Sequence, residues 1–60
     1  MKKKLWTVRV EMNAGNFYIY HDINSFSKTD AENQAIRLNH VESRGAKVSG
    51  AFAWSTISPK

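Results

Sequence analysis

The fold of this chain depends on one segment, Ser27-Lys28-Thr29-Asp30-Ala31-Glu32-Asn33-Gln34-Ala35-Ile36-Arg37-Leu38-Asn39-His40-Val41-Glu42-Ser43-Arg44-Gly45. Ser27 is a preferred N-cap residue, and Asp30 stands three positions later as the acidic member of a capping box; Thr29 with Glu32 is an alternative frame. Gly45 supplies the stop signal, because glycine readily adopts the left-handed conformation that ends helices. Between these signals the apolar residues recur at i, i+4, i+7 and i+10, as Ala31, Ala35, Leu38 and Val41. The segment predicts a helix whose small alanines let it lie close to a sheet.

Two strands joined by a tight turn precede the helix. Leu5 to Met12 alternates in polarity, which is typical of a half-buried strand. Asn13-Ala14-Gly15-Asn16 predicts a hairpin turn, and the aromatic and β-branched run from Phe17 to His21 predicts the second strand. A short polar connection from Asp22 to Phe26 then leads to the helix, and Ile23 and Phe26 are expected to pack under the start of the helix. The side chains expected to face the core are Trp6, Val8, Val10, Phe17 and Ile19.

A third strand follows the helix, from Lys47 to Ile57, and Ser58-Pro59-Lys60 ends its pairing because proline lacks a backbone donor. Gly50 marks a bulge or a close approach of the helix. A right-handed connection places the first strand in the middle of the sheet. The predicted fold class is therefore α+β, with β-β-α-β order and a three-stranded antiparallel sheet that carries one helix on one face. The expected core is completed by Ala31, Ala35, Leu38, Val48, Phe52 and Trp54.

Length and composition restrict the class of protein. Sixty residues make one domain, residues 1–60, with residues 1–4 as a frayed basic N-terminus. The absence of cysteine removes disulfides and fits a reducing, cytoplasmic environment. Arg9 and Glu11 interrupt the segment after the lysines, so neither a targeting nor a membrane segment is expected. The net charge of +4 favours polyanions or acidic protein surfaces as partners.

No motif for catalysis or metal binding is found. His21 and His40 lie on different elements without cysteine nearby, so no metal site is expected. The sequence has neither a nucleophile in the context of a histidine and an acid nor a glycine-rich phosphate loop. Asp30 and Glu32 are explained by helix capping, and the core is too small for a water-excluding pocket. We therefore expect a protein that is not an enzyme and uses no cofactor.

The first candidate binding surface is the sheet face that the helix leaves open. Tyr18 and Tyr20 are expected there beside Thr7 and Arg9, with lysines such as Lys47 at the margins. Aromatic rings interleaved with cations can stack bases and follow phosphates of single-stranded nucleic acid. The same residues also fit a protein partner or ordinary cross-strand pairing. These three interpretations remain open at this point.

The second candidate surface is the outer side of the helix. Ile36, His40 and Arg44 line up at i, i+4 and i+8, flanked by Arg37. An apolar residue among cations indicates contact with a partner protein or a phosphate backbone, although a single exposed isoleucine is common on monomers. The two surfaces together give the predicted partner-binding residues, which are Arg9, Tyr18, Tyr20, Ile36, Arg37, His40, Arg44 and Lys47.

A family likeness spans most of the chain. It rests on Lys4-Leu5-Trp6 and Val10-Glu11 in the first strand, Phe17 and Ile19-Tyr20 in the second, Thr29-Asp30-Ala31-Glu32 with Ala35 in the helix, Gly45 with Val48, and the terminal Pro59-Lys60. In these residues the chain resembles the T7-type phage inhibitors of host bacterial RNA polymerase. The resemblance implies a noncatalytic protein that binds the jaw region of the largest polymerase subunit and obstructs formation of the open promoter complex. The arginines that the family carries in its last strand fall at Gly50 and Phe52, so the resemblance assigns no binding residue.

Three functional hypotheses follow. The preferred one is a small phage-type inhibitor that occupies a surface of a host protein, with RNA polymerase or a defence complex as the target. The alternative is a basic nucleic-acid-binding protein that uses an aromatic sheet face. The third is a toxin-antitoxin or structural subunit; an exposed edge strand leaves the chain either a monomer or a dimer formed by sheet extension.

Overall fold

A three-stranded antiparallel sheet carries a single helix on one face. The computed structural model describes residues 3–55. Along the chain the elements are β1 (Lys4–Met12), β2 (Phe17–Ser25), α1 (Lys28–Glu42) and β3 (Val48–Ser55). The strand order in the sheet is β2-β1-β3, with both pairs antiparallel. The predicted α+β class, the β-β-α-β order and the central first strand are therefore confirmed.

The start of β1 includes a residue that the sequence placed in a frayed N-terminus. Lys4, which was assigned to a frayed N-terminus, is the first residue of β1. Lys3 places its Nζ atom 5.3 Å from the centroid of the Phe26 ring. The expected continuation of the third strand to Ile57 and its stop at Pro59 lie outside the described residues, as do the first two residues of the expected frayed segment.

The turn between β1 and β2 fixes the register of the hairpin. Gly15 donates its N–H to the Met12 carbonyl at 3.0 Å, and Met12 donates to the Asn16 carbonyl at 2.8 Å. Gly15 has φ 104°, a conformation that glycine adopts at little cost. The resulting register pairs Val10 with Tyr18. Because paired residues in adjacent strands share a face, Tyr18 lies on the same side as Val10.

A bulge lets β2 continue beyond the predicted end at His21. Trp6 pairs with Ile23 and Val8 with Tyr20, so Thr7 stands opposite two residues. Asp22 takes up the bulge with φ 60°, which aspartate tolerates better than most residues. The prediction of a connecting loop from Asp22 to Phe26 is therefore wrong over most of its length. Ile23 is buried beneath the helix as expected, whereas Phe26 is half exposed.

The N-cap of α1 agrees with the sequence signal, whereas the Asp30 carboxylate bonds to Ser25 and Gln34 instead of closing the predicted capping box. Ser27 is the N-cap in an extended conformation, and its Oγ accepts a hydrogen bond from the Asp30 N–H at 3.2 Å. The Asp30 carboxylate accepts hydrogen bonds from the Ser25 hydroxyl and, at 2.9 Å, from the Gln34 amide. These donors, the Ser25 hydroxyl first, hold the pKa of Asp30 below its usual value. The first turn is thus tied to the end of β2.

The helix ends one residue earlier than predicted. Ser43 is the C-cap, Arg44 follows with φ 57° and Gly45 with φ 80°. Gly45 donates its N–H to the His40 carbonyl at 2.8 Å, and Arg44 donates to the Val41 carbonyl at 3.3 Å. This pair of bonds is a Schellman motif, in which Arg44 occupies the left-handed C′ position that the sequence assigned to Gly45.

The core lies between α1 and one face of the sheet. The buried stripe of the helix is Ala31, Ala35 and Asn39, at i, i+4 and i+8. The predicted stripe was wrong at Leu38 and Val41, which are 50% and 79% exposed, because the helix presents its i+4 ridge to the sheet. The buried hydrophobic residues are Val8, Val10, Met12, Ile23, Ala31, Ala35 and Ala53.

Four large residues predicted in the core lie on the opposite face of the sheet, because β2 and β3 show the reverse faces to the helix. Phe17 and Ile19 exchange sides with Tyr18 and Tyr20. In β3 the helix side is formed by Ala51, paired with Val10, and Ala53, paired with Val8. Small residues there match a helix whose own contact stripe is alanine, since close packing leaves no space for large rings. The misplaced core residues are Phe17, Ile19, Phe52 and Trp54.

Candidate functional site: the open face of the sheet

We use the term open face for the side of the sheet that does not contact α1. The residues that alternate to this side are Leu5, Thr7, Arg9 and Glu11 of β1, Phe17, Ile19 and His21 of β2, and Gly50, Phe52 and Trp54 of β3. Its five large hydrophobic side chains, those of Leu5, Phe17, Ile19, Phe52 and Trp54, are between 39% and 51% exposed. Exposed apolar side chains gathered on one face of a sheet mark an interaction site more often than scattered single residues do.

An arginine lies at the centre of the open face. Arg9 is on the central strand, and its Nε atom lies 3.2 Å from Glu11 Oε2. The carbon at the centre of the guanidinium is 4.1 Å from the centroid of the Phe17 ring. Arg9 is therefore held by an ion pair within its own strand and by a cation–π contact with the neighbouring strand. The centre of the face carries one positive and one negative charge side by side.

Contacts among the remaining side chains support the two margins of the face. The Phe52 ring lies beside Gly50, where an added Cβ would come within 3.4 Å of two ring carbons. Toward the other margin, Thr7 Oγ1 on the central strand lies 3.4 Å from His21 Nδ1 on β2, and Thr7 is buried although it faces outward. Side chains held by their neighbours lose less conformational entropy when a partner binds. The open face is thus partly preorganised.

The predicted tyrosine platform is wrong, because Tyr18 and Tyr20 point toward the helix. Their rings stack with centroids 6.3 Å apart. Tyr20 donates its hydroxyl hydrogen to Glu42 Oε1 at 2.6 Å and accepts a hydrogen bond from Asn39 Nδ2 at 3.2 Å. Burial, followed by the bond to Glu42, raises the pKa of Tyr20 above its usual value. Of the residues assigned to the sheet surface from the sequence, Thr7 and Arg9 lie on the open face.

Lys47 lies away from the open face, at a shallow hollow between the hairpin turn and the end of the helix. The hollow has a volume of about 310 Å³. The Lys47 carbonyl accepts a hydrogen bond from Asn13 N–H at 2.9 Å, which ties the turn to the start of β3. The residues that line the hollow are Met12, Asn13, Ala14, Asn16, Tyr18, Ser43, Ala46 and Lys47. The position of Lys47 is therefore explained by a structural contact.

The second predicted surface lies on α1, on the other side of the molecule from the open face. Arg37 and His40 are exposed, while Ile36 is partly buried, so the isolated apolar residue is less accessible than expected. Arg44 is exposed just beyond the helix, in the strained C′ position. The structure therefore does not join these four residues to Arg9 in one site.

Nothing in the sequence pattern indicated that Phe17, Ile19, Phe52 and Trp54 form the open face, because their size favours a core assignment. Within residues 3–55 no group of three or more His, Cys, Asp or Glu side chains is placed to hold a metal ion. In the part of the chain that the structure describes, no helix is long and apolar enough to cross a membrane.

Comparison with protein-family models, with curated proteins and with solved structures finds no match for the chain.

Proposed function

We propose that this chain is a small noncatalytic binding protein of the phage-inhibitor type, which acts by covering a surface of a host protein with its open face. The observation that carries the proposal is the central Arg9 surrounded by half-exposed aromatic and aliphatic side chains. Aromatic residues and arginine are enriched at the centres of protein interfaces, and lysine is depleted there. The composition of the open face follows this pattern.

The distribution of lysines supports a protein partner. Lys3 lies against Phe26, and Lys28 pairs with Glu32 at 3.7 Å on the helix. Lys47 is at the hollow, and Lys4 pairs with Ser25 on the helix side of the sheet. The positive charge of the described residues is thus largely away from the open face. A neutral, apolar face suits a protein surface better than a phosphate backbone.

The proposed target is bacterial RNA polymerase or another host complex that handles nucleic acid, such as a defence complex. The support for this target is the resemblance described from the sequence. Inhibition would require only that the open face block a working surface of the target, because binding in the correct place excludes other partners. The site of action would be the cytoplasm of the host.

Affinity capture from a nuclease-treated bacterial lysate tests the proposal. The wild type is compared with Phe52→Ser/Trp54→Ser, which removes two aromatic side chains from the open face. The matched control, Leu38→Ser/Val41→Ser, removes two exposed apolar side chains from the helix. We expect the wild type and the control to retain the same host protein and the open-face variant to lose it. Retention by all three, or capture of no protein, would contradict the proposal.

A second candidate function is binding of single-stranded nucleic acid, favoured by the three rings of Phe17, Phe52 and Trp54 on one sheet face. Each stacked base contributes about 1 to 3 kcal/mol in such sites. Against it, Glu11 neutralises Arg9 and repels phosphates at the centre of the face. Binding of an oligonucleotide that weakens steeply with salt and is lost in Phe52→Ser/Trp54→Ser would favour this candidate.

A further inference from the structure

We infer that, when no other partner is bound, a second copy of this chain covers the open face, with the two sheets stacked and their β1 strands antiparallel. This inference goes beyond the proposed function, because it requires no host protein. Binding of a host protein would then compete with self-association, since both use the open face.

The first observation is the distribution of apolar side chains. The core contains four large buried hydrophobic residues, Val8, Val10, Met12 and Ile23, while the remaining buried hydrophobic residues are alanines. The open face displays five large hydrophobic residues that are about half exposed. A domain of this size buries only about 60% of the surface of its unfolded chain, so its own core is marginal. Covering the open face would withdraw these five large apolar side chains from water as well.

The second observation is that the charges at the centre of the open face are self-complementary. Arg9 and Glu11 are two residues apart on the same side of β1, about 7 Å along the strand. The two-fold axis lies between the two stacked sheets, perpendicular to β1, at the level midway between Arg9 and Glu11. It brings Arg9 of each copy opposite Glu11 of the other. Both copies then contribute the same pair, and four charges alternate in sign. Such pairs set the register of an interface more than they add affinity, because burial of charge is costly.

The same axis also matches the flanking strands. Ile19 pairs with Arg9, and Phe17 pairs with Glu11, so Ile19 of one copy faces Phe17 of the other. On β3, Phe52 pairs with Arg9 and Gly50 with Glu11, so each phenylalanine ring faces a glycine. Apolar side chains therefore meet apolar side chains, and a large ring meets the position without a side chain. A single two-fold axis therefore places compatible side chains opposite each other on all three strands.

The size of the open face sets the strength of the contact. Stacked sheets lie about 10 Å apart with strands within about 30° of alignment. A standard interface buries about 800 Å² on each partner, which is just under a fifth of the 4415 Å² accessible surface of this chain. One face of a three-stranded sheet falls at or below that size. We therefore expect a dimer weak enough for a larger partner to displace.

Pairing by sheet extension is opposed at one edge. The N–H of Ala53 on β3 donates to Glu32 Oε2 of the helix at 3.0 Å. A strand added at this edge would have to displace that carboxylate, and charged side chains at sheet edges oppose such pairing. Face-to-face stacking is therefore favoured over extension at β3.

Charge reversal tests the dimer. Arg9→Glu creates a face with two acids, and Glu11→Arg creates a face with two arginines, so each variant should repel itself. An equimolar mixture of the two should form heterodimers, because acids of one copy then meet arginines of the other. Arg37→Glu is the control, since it makes the same charge change as Arg9→Glu on the helix. Circular dichroism checks the fold of each variant, and sedimentation equilibrium measures its mass.

We expect a dimer for the wild type and for Arg37→Glu. For each single reversal we expect a dissociation constant raised at least about tenfold, equivalent to about 1.4 kcal/mol, and for the mixture a restored dimer. A wild type that is monomeric up to about 1 mM, where the binding free energy falls below about 4 kcal/mol, would overturn the inference. So would a mixture that stays monomeric, or folded reversal variants that dimerise as well as the wild type. None of these outcomes depends on whether a host protein is captured.

Discussion

The guanidinium of Arg9 lies over the ring of Phe17, with 4.1 Å between the guanidinium carbon and the ring centroid. The two residues are diagonal neighbours, since Arg9 pairs with Ile19 and Phe17 with Glu11. The contact orients the arginine of the open face and packs its guanidinium against the Phe17 ring. It thereby links the stability of the hairpin to the shape of the binding surface.

This contact can be measured by a double-mutant cycle. Arg9→Ala, Phe17→Ala and the double variant are unfolded in urea, and the coupling free energy is extracted. We expect about 0.5 to 1 kcal/mol, the usual strength of a cation–π pair at an exposed site. A coupling indistinguishable from zero would mean that the two side chains do not hold each other in solution. Arg37→Ala in place of Arg9→Ala gives a cycle in which no coupling is expected.

The buried Asn39 is expected to be the most sensitive polar residue. It donates to the Tyr20 hydroxyl, and its Oδ1 accepts a hydrogen bond from the Ser43 hydroxyl at 3.3 Å. Asn39→Ala removes both bonds within a fully buried site, so it should lower the free energy of unfolding by about 1 to 3 kcal/mol. The exposed Asn33→Ala should change it by less than about 0.5 kcal/mol. Equal effects of the two in urea denaturation would show that burial at position 39 is not as described.

The left-handed residues at the end of the helix give predictions of opposite sign. Arg44→Gly removes the cost of holding a residue with a Cβ at φ 57°, so it should stabilise the protein by about 0.5 to 1 kcal/mol. Gly45→Ala introduces that cost at φ 80° and should destabilise by about 1 kcal/mol. For a domain of this size each kcal/mol shifts the melting temperature by about 4 to 8 °C. Shifts in the same direction for both would contradict the assigned C′ geometry.

The lowered pKa of Asp30 predicts how the free energy of unfolding changes with pH in acid. Its folded pKa is lowered, first by the Ser25 hydroxyl and then by the Gln34 amide. The stabilisation is therefore complete above the unfolded pKa of about 3.9 and is lost as the pH falls through the lower folded value. Ser25→Ala should reduce the steepness of this acid loss, while Thr29→Ala on the exposed first turn should leave it unchanged. Urea midpoints recorded from neutral pH into acid give the comparison, and parallel profiles for Ser25→Ala and wild type would contradict it.

The elements with their own local signals could be predicted from the sequence. Ser27 as the N-cap and the Asn13 to Asn16 turn each act through backbone chemistry within a few residues, so the order of elements followed. The facing of β2 could not be predicted in the same way, because this strand has large residues on both sides. Alternation gives two sets but does not say which set is buried. The register that the turn sets pairs Val8 with Tyr20 and Val10 with Tyr18, which turns both tyrosines toward the helix. The bond from Asn39 to Tyr20 then holds this facing through a contact between residues that are distant in the sequence.

The candidate site was mispredicted for a related reason. Phe52 and Trp54 were assigned to the core by size, although Ala51 and Ala53 fit the alanine stripe of the helix better. The predicted buried stripe of the helix contains Leu38 and not Asn39, although Asn39 stands four residues after Ala35 on the same ridge. Close packing of a helix on a sheet favours small residues on both elements. Hydrophobicity alone does not indicate this preference. Arg9 was placed correctly because the alternation of β1 is unambiguous.

The central claim is that the open face, and not the helix, contacts the partner. The most direct measurement is the change in amide NMR signals of the labelled protein when the captured host protein is added. We predict that signals of Arg9, Ile19 and Phe52 broaden or shift, while those of His40 and Val41 on the outer side of α1 remain unchanged. Changes concentrated at His40 and Val41, with the open-face signals unaffected, would contradict the account.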